Sequence, residues 1–422
     1  MCYTPISLLL NNLKGRDVPA FSYFYENFKN MKLTKFFFFT LFSLSVCAQS
    51  LLDPYTNDVV SDLTQFSENY INPGMKGLLY GMNGSWYTTA KTHNKFGIDV
   101  TIAGNFAFGS DADKSFNFNS NNYNYTTIPS GQTNVPTLIS ENNNETILRV
   151  EIPLALPSGD FPFNGNIINI EEGTTVPLVM DGIEFPGGIG SDLPMGALPS
   201  PMIQVGVGLP TSTDLKVRYA PKVQTDDFSG DLIGLGLQHN ISQYFSKLGE
   251  STLPLNVSVL GAFTTMNLSY NMVDEDFDDP IDYRNANAEF KLNAWTVQAI
   301  GSLDFKLVSV YAGIGYNSGI TNLKLNGDFD LKYEIDSSQT VEVQPGVDLP
   351  LIDVLELSGM VNINANNEVV VTVQDPIDSE FEANGMRTTI GARLNLGFFK
   401  IFADYTFQEY NTASAGIVFS FN

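Results

Sequence analysis

From residue 96 to residue 108 every second position is apolar or glycine: Phe96, Ile98, Val100, Ile102, Gly104, Phe106, Phe108. Between them stand Gly97, Asp99, Thr101, Ala103, Asn105 and Ala107. A period of two places the two sets on opposite faces of a strand. The pattern returns in Ile203, Val205, Val207 and Leu209, and again in Leu215, Val217 and Tyr219. Gln204, Gly206 and Gly208 fill the gaps in the first run, Lys216 and Arg218 those in the second. Pro210-Thr211-Ser212-Thr213 between the runs predicts a hairpin with one greasy and one polar face. Further alternating runs near 231–241, 254–268, 287–300, 304–316, 321–335, 386–397, 399–410 and 412–421 bring the expectation to 12–14 strands.

A helical period occurs near the N-terminus, where Val59, Leu63, Phe66 and Tyr70 are spaced by four, three and four. That spacing predicts an amphipathic helix over 53–70. Asn72-Pro73-Gly74 then reads as a turn, and 77–90 as the first strand. Stretches rich in Asn, Gly, Pro and Asp predict large loops near 110–145, 158–201 and 270–285. In this register the first loop falls on the opposite side of the sheet from the others. Either 116–126 contains a further strand, or the strand count near the N-terminus is wrong.

Alternation suits a soluble sandwich as well as a membrane barrel. Composition and placement favour the barrel. Charged residues are 16% of the chain, against roughly 25% in an average globular protein, while aromatics reach 12%. Trp86, Tyr87, Tyr311, Tyr405, Phe407 and Tyr410 flank the alternating runs, as interfacial girdles do. After residue 48 no stretch approaches the roughly 18 consecutive apolar residues of a spanning helix. The expected fold class is therefore all-β, a transmembrane antiparallel β-barrel with a short N-terminal helical plug.

Residues 31–48, MKLTKFFFFTLFSLSVCA, have a basic start (Lys32, Lys35), an apolar stretch and a small-residue exit. They read as a secretory signal peptide cleaved after Ala48. Met31 then becomes the expected start, and 1–30 a gene-model extension. The expected division is signal at 31–48, helix and plug at 49–75, and barrel at 76–422, in the cell outer membrane. Cys47 sits in a lipoprotein-like box, but Val46 stands where a small residue is preferred, so acylation is not expected. Cleavage would remove both cysteines, Cys2 and Cys47, and leave a chain without disulfides. A closed hydrogen-bonded barrel would supply the missing constraint.

A formal charge of −24 repels phosphate backbones, which argues against nucleic acid as a partner. Candidate chemistry is sparse. The acidic run Asp274-Glu275-Asp276-Phe277-Asp278-Asp279 lacks the spacing of a calcium loop and reads as a solvated surface. His239 and Ser242 invite comparison with a hydrolytic pair, but no motif supports one, and His239 reads as a polar lumen residue. Lys216 and Arg218 could attract anions in a pore; pairing with the abundant carboxylates is the stronger expectation. No enzyme activity, metal or cofactor is expected.

Two segments carry resemblances. Ala413, Ala415, Ile417, Phe419 and Phe421 alternate almost to the terminus, which resembles the final-strand signal read by the outer-membrane barrel assembly machinery. That signal usually ends on its aromatic, whereas Asn422 follows here. The order of helix, Asn72-Pro73-Gly74 and strand is similar to the entrance of the fatty-acid and hydrophobic-compound transporter family (FadL-like), whose plug carries Asn-Pro-Ala within a 14-stranded barrel. Here Gly74 replaces the Ala. The resemblance implies passive uptake of a small apolar ligand past a plug, with outer-membrane lipid and the assembly machinery as partners. The alternative expectation is a non-transport barrel serving adhesion or envelope structure.

Overall fold

The structure is a computed structural model and describes residues 52–163, 166–224, 228–245, 254–272, 280–358 and 361–421. The signal peptide, the extension before it, Cys47, the acidic run and Asn422 lie outside these residues. Ten strands form a closed antiparallel ring. They are β1 (Ile98–Ala107), β2 (Leu198–Leu209), β3 (Thr213–Gln224), β4 (Phe228–Asn240), β5 (Leu255–Asn271), β6 (Ile281–Asp304), β7 (Val308–Glu334), β8 (Ile377–Leu396), β9 (Phe399–Phe407) and β10 (Thr412–Phe421). The ring closes where β1 meets β10, with Ile98 opposite Phe421, Val100 opposite Phe419 and Ile102 opposite Ile417. A closed ring leaves no unpaired edge, which is what a sheet needs in hydrocarbon.

Burial along the ring is inside out. Thr101, Asn105, Gln204, Lys216, Arg218, Gln238, Thr296, Gln298 and Arg387 are buried, while Ile102, Ile203, Leu235, Leu237, Phe263, Val297, Ile314 and Ile390 are exposed. An apolar outer wall around a polar interior is a membrane barrel. Among the described residues no helix is long and apolar enough to cross a membrane. Closed barrels of this kind belong to outer membranes, and the outer membrane is the location of this chain.

β6 and β7 run for 24 and 27 residues, far beyond the roughly 9–11 that cross a bilayer. Their polarity inverts along their length. In the lower part of β7 the outward residues are Val310, Ile314 and Ile320, and the inward ones include Asn317 and Thr321. Above that level Lys324, Asp328 and Asp330 face outward, and Leu323, Leu325, Phe329 and Leu331 face inward. β8 repeats the switch, from Asp378, Glu380 and Glu382 outward to Met386, Ile390 and Leu394. The barrel thus continues beyond the bilayer as the wall of a water-facing domain.

That domain is completed by 108–197 and 335–376. Thr146–Ala155 pairs with Thr175–Phe185, Val179 of the latter meets Glu334, and Glu368–Gln374 pairs with the end of β7. Leu148, Ile152, Leu178 and Phe185 join Phe329 and Leu331 in one apolar core, together with Leu351, Val354 and Leu355 of the helix Leu351–Ser358.

The hydrogen-bonded sheet as a whole has 14 strands, but the ring that forms the barrel has ten, fewer than the 12–14 expected of it, and the other four belong to the external domain. Two further expectations are corrected. The runs 304–316 and 321–335 are parts of one strand, β7, because Asn317 and Gly319 face the lumen without breaking the ladder. Residues 77–90 are not a strand. With that strand removed, 108–197 falls on the same side as the other large connections, so the miscount near the N-terminus was the correct alternative. At the opposite end three of the four connections are short turns, Pro210-Thr211-Ser212, where Thr211 and Ser212 have φ of 67° and 51°, Phe305-Lys306-Leu307 and Gly397-Phe398, and the fourth is 241–254. Short turns mark the periplasmic end of such barrels, and long connections the external end.

Candidate functional site

The lumen is occupied by the segment that precedes β1. Helix α1 (Asp53–Met82) is 30 residues long and runs through Pro73 without ending. Its apolar face packs into the external domain, where Phe66 lies 5.2 Å from Phe116 and 4.4 Å from Phe185, ring centre to ring centre. Asp62 accepts hydrogen bonds from the backbone N–H groups of Asn124, Tyr125 and Thr126 at 2.8 to 3.0 Å. The C-terminal half descends into the barrel, an extended stretch follows, and the chain turns into β1 at the periplasmic rim. Asn72-Pro73-Gly74 is therefore helix and not a turn, a correction with a physical cause. Proline inside a helix loses one hydrogen bond, while tertiary packing fixes the turns on either side of it.

Gly74, Gly77, Gly81 and Gly84 recur at helical spacing and press against Leu138, Leu198, Ser200 and Asn105 in turn; a Cβ at any of the four would overlap its neighbour. This glycine ridge brings the plug's backbone against the external domain at Leu138 and against the barrel wall at Leu198, Ser200 and Asn105. It was readable in the sequence as a period of three and four, but a strand reading of the same residues concealed it.

Below the ridge, three buried cations converge on backbone carbonyls at the helix's C-terminus, where such groups lack a helical partner, and in the four residues that follow it. Arg218 donates to the oxygens of Met82 (2.7 Å) and Gly84 (2.5 Å), and Arg387 to Asn83 (2.7 Å). Lys216 donates to Trp86 (2.7 Å) and to Gln238 Oε1 (2.7 Å). The Arg218 guanidinium also lies 3.6 Å from the centre of the Trp86 ring. Positive charge here complements the negative end of the helix dipole. The expected pairing of Lys216 and Arg218 with carboxylates is replaced by these bonds to backbone carbonyls.

The extended stretch is pinned just as densely. Tyr87 donates to Gln298 Oε1 (3.0 Å), and Gln238 and Asn240 reach the carbonyls of Thr89 and Ala90 at 3.0 and 3.3 Å. Thr89 donates to Asp304 (2.6 Å). His93 lies between two carboxylates, 3.0 Å from Asp214 and 3.3 Å from Asp99. Burial works against the imidazolium, but the hydrogen bonds and charges of these two partners outweigh it and lift the pKa to about 9. At the external end Lys76 and Tyr80 bind Glu409 at 3.0 and 2.6 Å.

Ile417, Phe419 and Phe421 lie on the outer face of β10, at the closing seam. His239 is half-buried at the turn end, on the same strand face as exposed Leu235 and Leu237, and not in the lumen. It contacts Thr213 Oγ1 (2.8 Å) and Tyr244 OH (3.1 Å), while Ser242 bonds the Val257 carbonyl at 3.4 Å. The structure does not bring His239 and Ser242 together as a pair. The lumen residues that sequence reasoning missed include Arg387, Asp214 and Gln298, which carry no signal apart from their inward register.

A family model described as a family of unknown function (DUF6588) matches residues 28–421. This is not the fatty-acid transporter family that the plug-like segment resembles. No curated protein matches the sequence. Among solved structures, the chain is similar to the attachment invasion locus protein Ail of Yersinia pestis, with 14% identity over 50% of this chain and 97% of that one, at a TM-score of 0.22. It is similar to the translocator domain of the autotransporter NalP from Neisseria meningitidis, at 9% identity, covering 85% and 98%, with a TM-score of 0.24. The transport unit of the autotransporter AIDA-I from Escherichia coli matches at 9% identity, covering 84% and 97%, with a TM-score of 0.25.

Proposed function

The chain belongs to the DUF6588 family, a family of unknown function, and for it we propose a non-catalytic role as an outer-membrane anchor that presents a folded acidic domain outside the cell. The observation that carries this reading is the lumen threaded by residues 74–97 and bonded to the wall through Lys216, Arg218 and Arg387. A pore for solutes would need that segment to leave, and each buried cation would then lose its partners at a cost of about 1.5–3 kcal/mol per charged hydrogen bond. The external domain supplies the working surface. Residues 108–197 contain eleven carboxylates against two basic side chains, and 335–376 contain seven carboxylates and no basic residue.

Uptake of a small apolar compound such as a long-chain fatty acid is the second reading. It would require an apolar ligand, drawn from water at about 0.8 kcal/mol per buried methylene, to displace the packing of Phe66 on the plug helix against Phe185.

Two measurements on the full chain test the proposal. An epitope inserted at Gly131, in the external domain, is expected to label on intact cells, and one at Gly397 after permeabilisation alone. In planar bilayers the purified protein is expected to show no steady conductance. A stable open channel, or fatty-acid uptake lost on gene deletion and restored by the intact gene, overturns the anchor reading in favour of transport.

A further inference from the structure

The chain is strongly acidic as a whole, yet its periplasmic rim has the opposite sign. Around the turns at this end, among the described residues, the exposed charged side chains are Lys91, Lys95 and Lys306, with half-buried Lys400 beside them. The three carboxylates nearby are already engaged: Asp99 and Asp214 by His93, and Asp304 by Thr89, Ser302 and Asn256. The same turns expose large apolar side chains, Phe96 (68%), Leu307 (59%), Phe398 (64%) and Phe305 (50%). Lys95 and Phe96 are neighbours in space, with the ammonium 5.1 Å from the ring centre.

Aromatic side chains at the end of a spanning wall lie at headgroup depth. Lysines interleaved with them therefore sit where phosphate groups are, and a juxtamembrane lysine is attracted to an anionic leaflet. We propose that this rim is a binding surface for the headgroups of anionic phospholipids in the periplasmic leaflet, with Lys91, Lys95 and Lys306 as its charges and Phe96, Phe305 and Phe398 as its anchors. The sign contrast with the external domain makes the preference directional. Anionic lipid is attracted at this end and repelled at the other, where Glu289, Asp378, Glu380 and Glu382 outnumber Lys291 and Lys324 on the outward face just above the apolar band. The inference rests on the membrane-spanning barrel and not on the closed lumen, so it fails or stands independently of the anchor role.

The test is native mass spectrometry of the detergent-solubilised full-length protein titrated with phosphatidylglycerol or phosphatidylcholine of matched chains. Wild type is expected to retain phosphatidylglycerol at concentrations at least five-fold lower than phosphatidylcholine, with the gap narrowing as salt is raised. The K91Q/K95Q/K306Q variant changes exposed side chains alone and is expected to fold, as heat-modifiable gel mobility would verify, and to lose the preference. The corresponding triple arginine variant is expected to keep it. Equal retention of the two lipids by wild type, or an undiminished preference in the glutamine variant, overturns the proposal.

Discussion

Arg218, on the third strand of the barrel, donates to the carbonyl oxygen of Met82, the last residue of the plug helix, at 2.7 Å, and both residues are buried. A second arm of the same guanidinium reaches Gly84. One side chain therefore closes the helix end and ties it to the wall. Arg218→Ala is expected to lower stability by about 3 kcal/mol, because two carbonyls lose a charged donor inside the lumen. Arg218→Lys should recover part of this, lacking the fork that spans two carbonyls. The readouts are the temperature at which gel mobility shifts and the frequency of transient openings in planar bilayers. An alanine variant with unchanged melting and no openings would show that the bond does not hold the plug.

The glycine ridge makes a prediction opposite in sign to helix propensity. In an open helix Gly→Ala gains about 0.8–1.0 kcal/mol. At Gly77 the new methyl would meet Leu198, so Gly77→Ala is expected to destabilise the plug by about 1–3 kcal/mol through overpacking. Adding Leu198→Ala should recover much of the loss. Additive destabilisation in the double variant would exclude that contact as the cause.

His93 gives the plug's lower attachment a pH dependence. Its pKa rises on folding from 6.5 to about 9, so its stabilisation is complete below about pH 6.5 and is lost as pH rises through 9. The shift corresponds to about 3 kcal/mol. Denaturation midpoints compared at pH 6 and pH 10 should fall for wild type, with a smaller drop for His93→Asn. Parallel pH profiles for the two proteins would refute this attachment.

The inversion of polarity along β7 separates positions that alternation alone treats as equal. Ile314 faces outward within the apolar band, and Asn322 faces outward above it. Ile314→Lys should cost about 2–4 kcal/mol and Asn322→Lys close to nothing. Similar losses at the two positions, measured by unfolding from lipid vesicles, would place the bilayer boundary elsewhere.

Period-two alternation was enough to find β1, the β2–β3 hairpin and β10, because each of these crosses the membrane with one apolar and one polar face throughout. It misled in β7, where the faces exchange roles near Ile320. A pattern reader sees a break there, although the backbone ladder continues from Val308 to Glu334. The plug was half legible. Val59, Leu63, Phe66 and Tyr70 showed a helix, but Pro73 suggested its end, and burial against Leu138 and Leu198 decided otherwise. Lys216 and Arg218 were visible as inward charges. Their partners were not, since backbone carbonyls have no sequence signature and the acceptors lie about 130 residues earlier in the chain.

The crossover from apolar to charged outward residues in β7 and β8 also acts as a depth gauge. If the barrel sank toward the periplasm by two residues along these strands, Lys324 and Glu382 would approach the hydrocarbon; if it rose by two, Ile320 and Met386 would approach water. Both displacements meet rising resistance, so the wall has a preferred height that its neighbours share, with Tyr316 beside Met386 and Ile320 beside Glu382 across one ladder. A bilayer of different thickness would have to deform around this protein, because two long paired strands packed on the external domain's core leave little freedom to tilt.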